Sequence, residues 1–155
     1  MSAIKAREYL KQFGLDKNII EFDEGATATV EAAAASLGCT PGEICKTMAF
    51  LTSDGPMVIL MAGDKKIDNH LYKEQFHEKA KMVPSEDLEN LIGHPMGGVC
   101  AFGIKDNVKV YLDDSLKVYD IVYPAAGEPN NAVKLTIPEL EHVTNNPEYI
   151  HISKD

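Results

Sequence analysis

Cysteine is sparse in this chain of 155 residues, which carries only Cys39, Cys45 and Cys100. Their number is odd, no C-x-x-C spacing occurs, and each lies in an apolar or turn segment. That pattern argues against a disulfide framework and a structural zinc site, and it suits a reducing compartment. Long apolar runs are missing as well. Nothing approaches the roughly 18 uninterrupted apolar residues that cross a bilayer, and Met1 to Leu10 lacks the apolar centre of a secretory signal, so the expected location is cytoplasmic, with no membrane partner. Positive charge is in deficit: 15 Lys and Arg stand against 24 Asp and Glu, giving a net charge of −9 and a pI near 5.0. A broad, sequence-independent grip on nucleic acid needs many cationic contacts to phosphate, so DNA is not an expected partner, although a small local contact remains allowed. The bases that exist gather mid-chain, at Lys65, Lys66, Lys73, Lys79, Lys81, Lys105 and Lys109.

Standard catalytic signatures are also absent. There is no G-x-S-x-G elbow, Walker lysine loop, dinucleotide fingerprint after a strand or H-E-x-x-H pair. The five histidines are scattered, with no two at metal-ligand spacing on one helix face, and most of them read as surface residues. No metal and no cofactor is expected.

What is present suffices for a core: 45% of the residues are hydrophobic, and the length suits one domain, residues 1–155. Ala6, Tyr9, Leu10 and Phe13 share one helix face ahead of Gly14, predicting an amphipathic helix over 3–13. A strand is expected over 18–22. The runs 46–52 and 57–61, separated by Ser53-Asp54-Gly55-Pro56, predict a hairpin whose second strand, apolar on both faces, is central. Further expectations are a helix over 67–77, a short strand over 80–83, and a helix capped by Ser85 with Glu86 and Asp87 in its first turn. Strands follow near 108–112, 118–123 and 132–135, then a helix from Thr136, and an edge strand over 149–152. Strands outnumber helices and several connections are hairpin-length. The fold class is therefore α+β, with a mixed, largely antiparallel sheet and helices packed outside.

The stretch Thr29 to Phe50 stands out because it delivers Lys46 to a defined corner. Thr29 can cap an Ala-rich helix, Gly38 suits its left-handed end, and Thr40-Pro41-Gly42-Glu43 reads as a capping box with proline at the first helical position. Two short helices therefore lead into Lys46, and an apolar strand leaves it.

Eight segments in order carry a family likeness: T-V-E-A-A (29–33), L-G (37–38), K-T (46–47), A-G-D (62–64), I-D-N (67–69), G-H-P-M-G-G-V-C-A-F-G (93–103), V-Y-L-D (110–113) and A-G (126–127). Together they resemble the YbaK/EbsC family, free-standing domains related to the editing insert of bacterial prolyl-tRNA synthetase. The resemblance implies a sheet curled into a partial barrel with flanking helices. It also implies a trans-acting aminoacyl-tRNA deacylase that hydrolyses the ester of a small misplaced amino acid such as alanine or cysteine, carried on tRNA-Pro. The implied partners are the 3′ end of misacylated tRNA and an aminoacyl-tRNA synthetase.

By that resemblance Lys46 holds the terminal phosphate or ribose and places positive charge near the ester. The backbone of Gly97 and Gly98, running on through Val99 and Cys100, polarises the carbonyl, and Asp113 orients Lys46 or water. Phe22, Thr29, Thr47, Ala101, Phe102 and Gly127 complete the substrate contacts. Local chemistry offers plainer roles beside these: a turn for Asp113, a helix cap for Thr29, core packing for Phe22, and a small buried hydrophobe for Cys100. Three positions depart from the family pattern. Ala101 stands where relatives commonly carry proline, Glu128-Pro129-Asn130-Asn131 where several carry a basic pair, and Phe22 where some carry tyrosine. A non-catalytic module binding an amino acid, a nucleotide or a synthetase is the alternative reading.

Overall fold

The computed structural model of the protein describes residues 2–23 and 29–155. The first helix, α1 (Ser2–Lys11), buries Ala6 and Leu10 completely, sets the tilted rings of Tyr9 and Phe13 with centroids 5.4 Å apart, and gives way to a turn at Gly14, whose φ of +72° an L side chain resists. Strand β1 (Ile19–Glu21) follows. Helix α2 (Val30–Leu37) begins where the Thr29 hydroxyl accepts the Ala32 N–H at 3.0 Å and ends at left-handed Gly38. The Thr40–Glu43 box forms as expected, but it closes a single 3₁₀ turn rather than an α-helix, because the chain turns extended at Ile44.

The main sheet has six strands, in the order β8 (Leu135–Thr136), β6 (Ile121–Pro124), β2 (Ile44–Thr52), β3 (Gly55–Ala62), β5 (Lys109–Asp113) and β9 (Tyr149–Ile150), and curls into a half-barrel. Its spine is the hairpin of β2 (Ile44–Thr52) and β3 (Gly55–Ala62), joined in register through eight antiparallel pairs from Cys45↔Ala62 to Thr52↔Gly55. Two-residue β4 (Lys66–Ile67) leads into α3 (Asn69–Phe76), whose first N–H groups are capped by Asp68. One-turn α4 (Leu88–Leu91) precedes the long loop to β5 (Lys109–Asp113), and β6 (Ile121–Pro124) follows. Then come β7 (Asn131–Val133), β8 (Leu135–Thr136), α5 (Ile137–Val143), β9 (Tyr149–Ile150) and β10 (Ser153–Lys154). Antiparallel pairs carry most of the register, while β6, β5 and β9 join the sheet in parallel.

The apolar run of β3 is explained by its two buried faces. Val58, Leu60 and Ala62 point into a core closed by Leu10 of α1, Leu88 of α4 and Leu140 of α5, while Met57, Ile59 and Met61 meet Tyr72 of α3 and Ile152. Burying one such side chain contributes about 1.5–3 kcal/mol.

Several predicted elements are shorter or split. The 80–83 strand reduces to one bridge, Met82 to Phe50, because Pro84 cannot extend the ladder. Ser85 caps no helix: residues 85–87 form a 3₁₀ turn and α4 adds only four residues. The first part of the 118–123 run belongs to a 3₁₀ turn over 114–118. The 132–135 run serves two sheets, Asn131–Val133 pairing with β1 and Leu135–Thr136 with β6. The expected edge strand forms at β9, and the chain then returns to pair Ser153–Lys154 with β4.

Candidate functional site

Strand β2 is paired with β3 on one side from Cys45 to Thr52, but has no such continuous neighbour on the other among the described residues. On its outer edge β6 pairs only with Ile44 and Cys45, and the next contact is the Met82 bridge at Phe50. Between these joints the sheet is split, and there a cavity of about 440 Å³ opens. Its wall is β2 itself, from Ile44 through Ala49. Val83 and Leu88 line it, as do Val30, Ala33 and Tyr123, while Met96, Gly97 and Val99 of one loop and Glu128 and Pro129 of another add to the lining, with Gly97 close to Pro129.

Lys46 lines this cavity from the third position of β2. Its half-buried Nζ donates to the Lys65 carbonyl oxygen, so the ammonium is tethered beside Asp64 rather than loose in solvent. Burial holds its pKa below the ordinary lysine value, against the opposing pull of Asp64 and Glu31. Thr47, next along, stands on the face shared with Cys45 and Ala49. Its Oγ1 is covered and has no hydrogen-bond partner among the described residues. Leaving a buried hydroxyl unpaired costs about 1–3 kcal/mol.

The glycine loop divides its duties. Gly97, at φ +89°, and Val99 line the cavity. Gly98 does not: its N–H closes a turn on the Pro95 carbonyl at 2.9 Å, and a Cβ there would lie 2.5 Å from the Gly127 carbonyl oxygen. Gly127 in turn has no room for a Cβ, which would sit 2.5 Å from the Ser2 carbonyl oxygen. The loop is therefore stacked on Gly127, and Gly127 on the first turn of α1. Behind the loop His94 is fully buried, whereas the other four histidines are exposed, as expected for most of them. Its Nε2 donates to the Phe102 carbonyl at 2.6 Å; a carbonyl only accepts, so Nε2 carries the proton and Nδ1 of the neutral ring accepts from the Ser2 hydroxyl. Burial lowers the His94 pKa, and nearby Lys5 adds to the effect.

Of the residues singled out from sequence, then, the fold brings Lys46, Thr47, Thr29, Gly97 and Val99 to one cavity. Cys100, Ala101 and Phe102 are buried in the main core behind it, with the Cys100 thiol pushed up to about 12 by burial. Phe22 is not among the lining residues; its backbone is bonded on both sides to Asn130. Asp113 is the clearest correction. It is fully buried, with Oδ2 accepting the Ser115 N–H at 3.0 Å and Oδ1 the Ile152 N–H at 2.9 Å, so both oxygens are engaged in fastening the end of β5 to the C-terminal segment. The ligand atoms of Asp113, Asp114 and His151 lie within 4.8 Å of one another, but Asp114 and His151 already pair at 2.9 Å.

Met82, Val83 and Leu88 were invisible as lining residues in the sequence, since only long-range packing of residues 81–88 across β2 places them there. Glu128 was visible only as a departure from the family pattern. No helix among the described residues is long and apolar enough to cross a membrane.

A split half-barrel with a tethered lysine and a glycine loop around one cleft defines an α+β domain with an open cavity at a sheet edge. Residues 24–143 match the model of the aminoacyl-tRNA editing domain, and the chain belongs to that family. It is 38% identical to the uncharacterized protein YwhH of Bacillus subtilis over 100% of this chain and 99% of the relative. It is 27% identical to the proline–tRNA ligase of Aquifex aeolicus over 77% of this chain, spanning 20% of that enzyme. Among solved structures, a candidate trans-editing enzyme for prolyl tRNA synthetase superposes with a TM-score of 0.89 at 24% identity, covering 99% of this chain and 98% of that one. The hypothetical protein APE2540 superposes with a TM-score of 0.84 at 27% identity, over 97% and 99% of the two chains. Family membership and the likeness to proline–tRNA ligases support a deacylase type of function.

Proposed function

We propose that residues 1–155 act as one trans-acting deacylase that hydrolyses the ester of misacylated tRNA, with alanine or cysteine on tRNA-Pro as the substrate class. The observation that carries this reading is the single cavity that gathers Lys46, Thr47, Gly97 and Val99. Its volume of about 440 Å³ suits an amino acid joined to a ribose rather than a whole nucleic-acid helix. The physical need is for a second sieve, because a synthetase separates amino acids differing by one methylene by only about 1–3 kcal/mol.

In this reading the Lys46 ammonium holds the terminal phosphate or ribose and offsets negative charge developing on the carbonyl oxygen, with the backbone of the loop at Gly97 and Val99 as the further source of donors. Water adds to the carbonyl carbon, the bond from that carbon to the ribose oxygen breaks, and a proton passes to that oxygen, releasing the amino acid and intact tRNA. No protein nucleophile is required, which agrees with the inert, buried Cys100. A non-catalytic amino-acid-binding module is the second reading, favoured by the engagement of Lys46 with the Lys65 carbonyl and by Glu128 on the cavity wall.

The test is to incubate the protein with a panel of misacylated tRNAs and follow loss of the ester, with Lys46→Ala in parallel. Deacylation of alanyl- or cysteinyl-tRNA-Pro that disappears in the variant is expected. Failure of every charged tRNA, with retained binding of free amino acids, overturns the enzyme reading in favour of the module.

A further inference from the structure

The split in the sheet has a chemical consequence at one residue. In an extended strand a residue points its N–H and C=O to the same side, and successive residues alternate. The Ala49 carbonyl accepts from the Val83 N–H and the Leu51 N–H donates to the Lys81 carbonyl, so Ala49 and Leu51 face the outer edge of β2, away from β3. Thr47, two residues earlier, faces that edge too. There β6 has ended opposite Cys45, and the Met82 bridge has not begun. Among the described residues no ladder pair with either segment includes Thr47, and the residue lines the cavity. The Oγ1 of the same residue is the unpartnered hydroxyl. The main-chain donor and acceptor of Thr47 are thus left on the cavity side, with its covered, unpartnered hydroxyl beside them, in a protein interior where such groups are normally paired.

An α-aminoacyl ester in its extended form has the same layout as one strand residue, with an amine and a carbonyl oxygen directed to one side. It can therefore dock on Thr47 as a single-residue antiparallel partner, the mode by which strand edges take up peptides. We propose that Thr47 is the anchor of the acyl moiety. The ester carbonyl oxygen accepts the Thr47 N–H, and the α-ammonium donates to the Thr47 carbonyl and, after rotation about χ1, to Oγ1. This inference rests on the deacylase reading and deepens it: the site requires a free α-amino group. Esters of N-acylated amino acids and of simple carboxylic acids are poor substrates, whatever side chain fits against apolar lining residues such as Val83 and Leu88.

The probes are non-hydrolysable 3′-amide analogues of adenosine carrying an alanyl group or a propionyl group, which lacks only the amine. Binding is measured by calorimetry to the full chain and to Thr47→Val, which keeps shape and removes the hydroxyl. The alanyl analogue is expected to bind wild type about tenfold more tightly than the propionyl one. Thr47→Val is expected to shrink that ratio several-fold while leaving propionyl affinity within about twofold. Thr47→Ser restores the preference. Thr47→Val should melt no lower than wild type, because it exchanges an orphaned hydroxyl for a methyl group. Equal affinity for the two analogues overturns the anchor, as does a variant that weakens both equally. Deacylation of N-acetyl-aminoacyl-tRNA at the rate of the free-amine substrate overturns it too, while leaving the deacylase reading intact. If neither analogue binds and no tRNA is deacylated, the deacylase reading and the anchor fall together.

Discussion

Removing the Asp113 carboxylate separates a structural from a catalytic account of the most conspicuous acidic residue in the family-like segments. Its two oxygens accept the N–H groups of Ser115 and Ile152 at 3.0 and 2.9 Å, and the residue is fully buried. A hydrogen bond to a charged acceptor contributes about 1.5–3 kcal/mol, and the two share one carboxylate, so their losses do not simply add. Asp113→Ala is expected to cost about 3 kcal/mol. In a domain of this size each kcal/mol lowers Tm by roughly 2–4 °C, so Tm should fall by about 6–12 °C. Asp113→Asn should do nearly as badly, because its amide nitrogen turns a donor toward a donor. The assay is thermal and urea denaturation of the three proteins, followed by deacylation rates per folded molecule well below each Tm. Those rates should stay within about twofold of wild type, since Asp113 does not line the cavity. An unchanged Tm together with a collapsed rate would refute the structural assignment and return Asp113 to the chemistry.

Two histidines should shift stability with pH in opposite senses. His94 has a depressed pKa, so below about pH 6.5 the unfolded chain takes up a proton that the native ring refuses, and stability falls as pH drops through that window. His151 is raised by its bond to Asp114, so its contribution is present below about pH 6.5 and is lost as pH climbs through the higher folded value. Urea midpoints for His94→Gln and His151→Gln across pH 5 to 8 should each lose the matching slope. Gly127→Ala must place a Cβ 2.5 Å from the Ser2 carbonyl oxygen at φ +95°, and a loss of about 2–4 kcal/mol in urea denaturation is expected. In native protein a disulfide reagent should modify half-buried Cys39 while Cys45 and Cys100, both buried and with raised thiol pKa values, react only after unfolding. Fast native labelling of Cys100 would contradict the packing of the glycine loop.

Local rules carried far in this chain wherever the cause is itself local. The Thr29 cap, the Gly38 stop, the Thr136 capping box and the β2–β3 hairpin each depend on residues within a few positions of one another. The doubly buried β3 was legible because an unbroken apolar run leaves no face for water. Elements that needed a distant partner came out differently. The 132–135 run looks continuous, yet it divides because β1 claims one half and β6 the other. Residues 80–83 have strand character but meet only one bridge before Pro84.

The candidate site shows the same division. Sequence alone placed Lys46 and Thr47 in an apolar strand after a tight turn, though that strand begins at Ile44 rather than at Lys46, and placed a glycine-rich loop about fifty positions on, since motif order and turn chemistry are written in neighbouring residues. Only the tertiary structure decided that the two meet across a gap in the sheet, that Asp113 turns inward to hold Ile152, and that His94 sits in the core against Ser2. Those outcomes depend on which strands run out of partners and where. Pairing between segments from 32 to 92 residues apart sets that, and no local pattern encodes it.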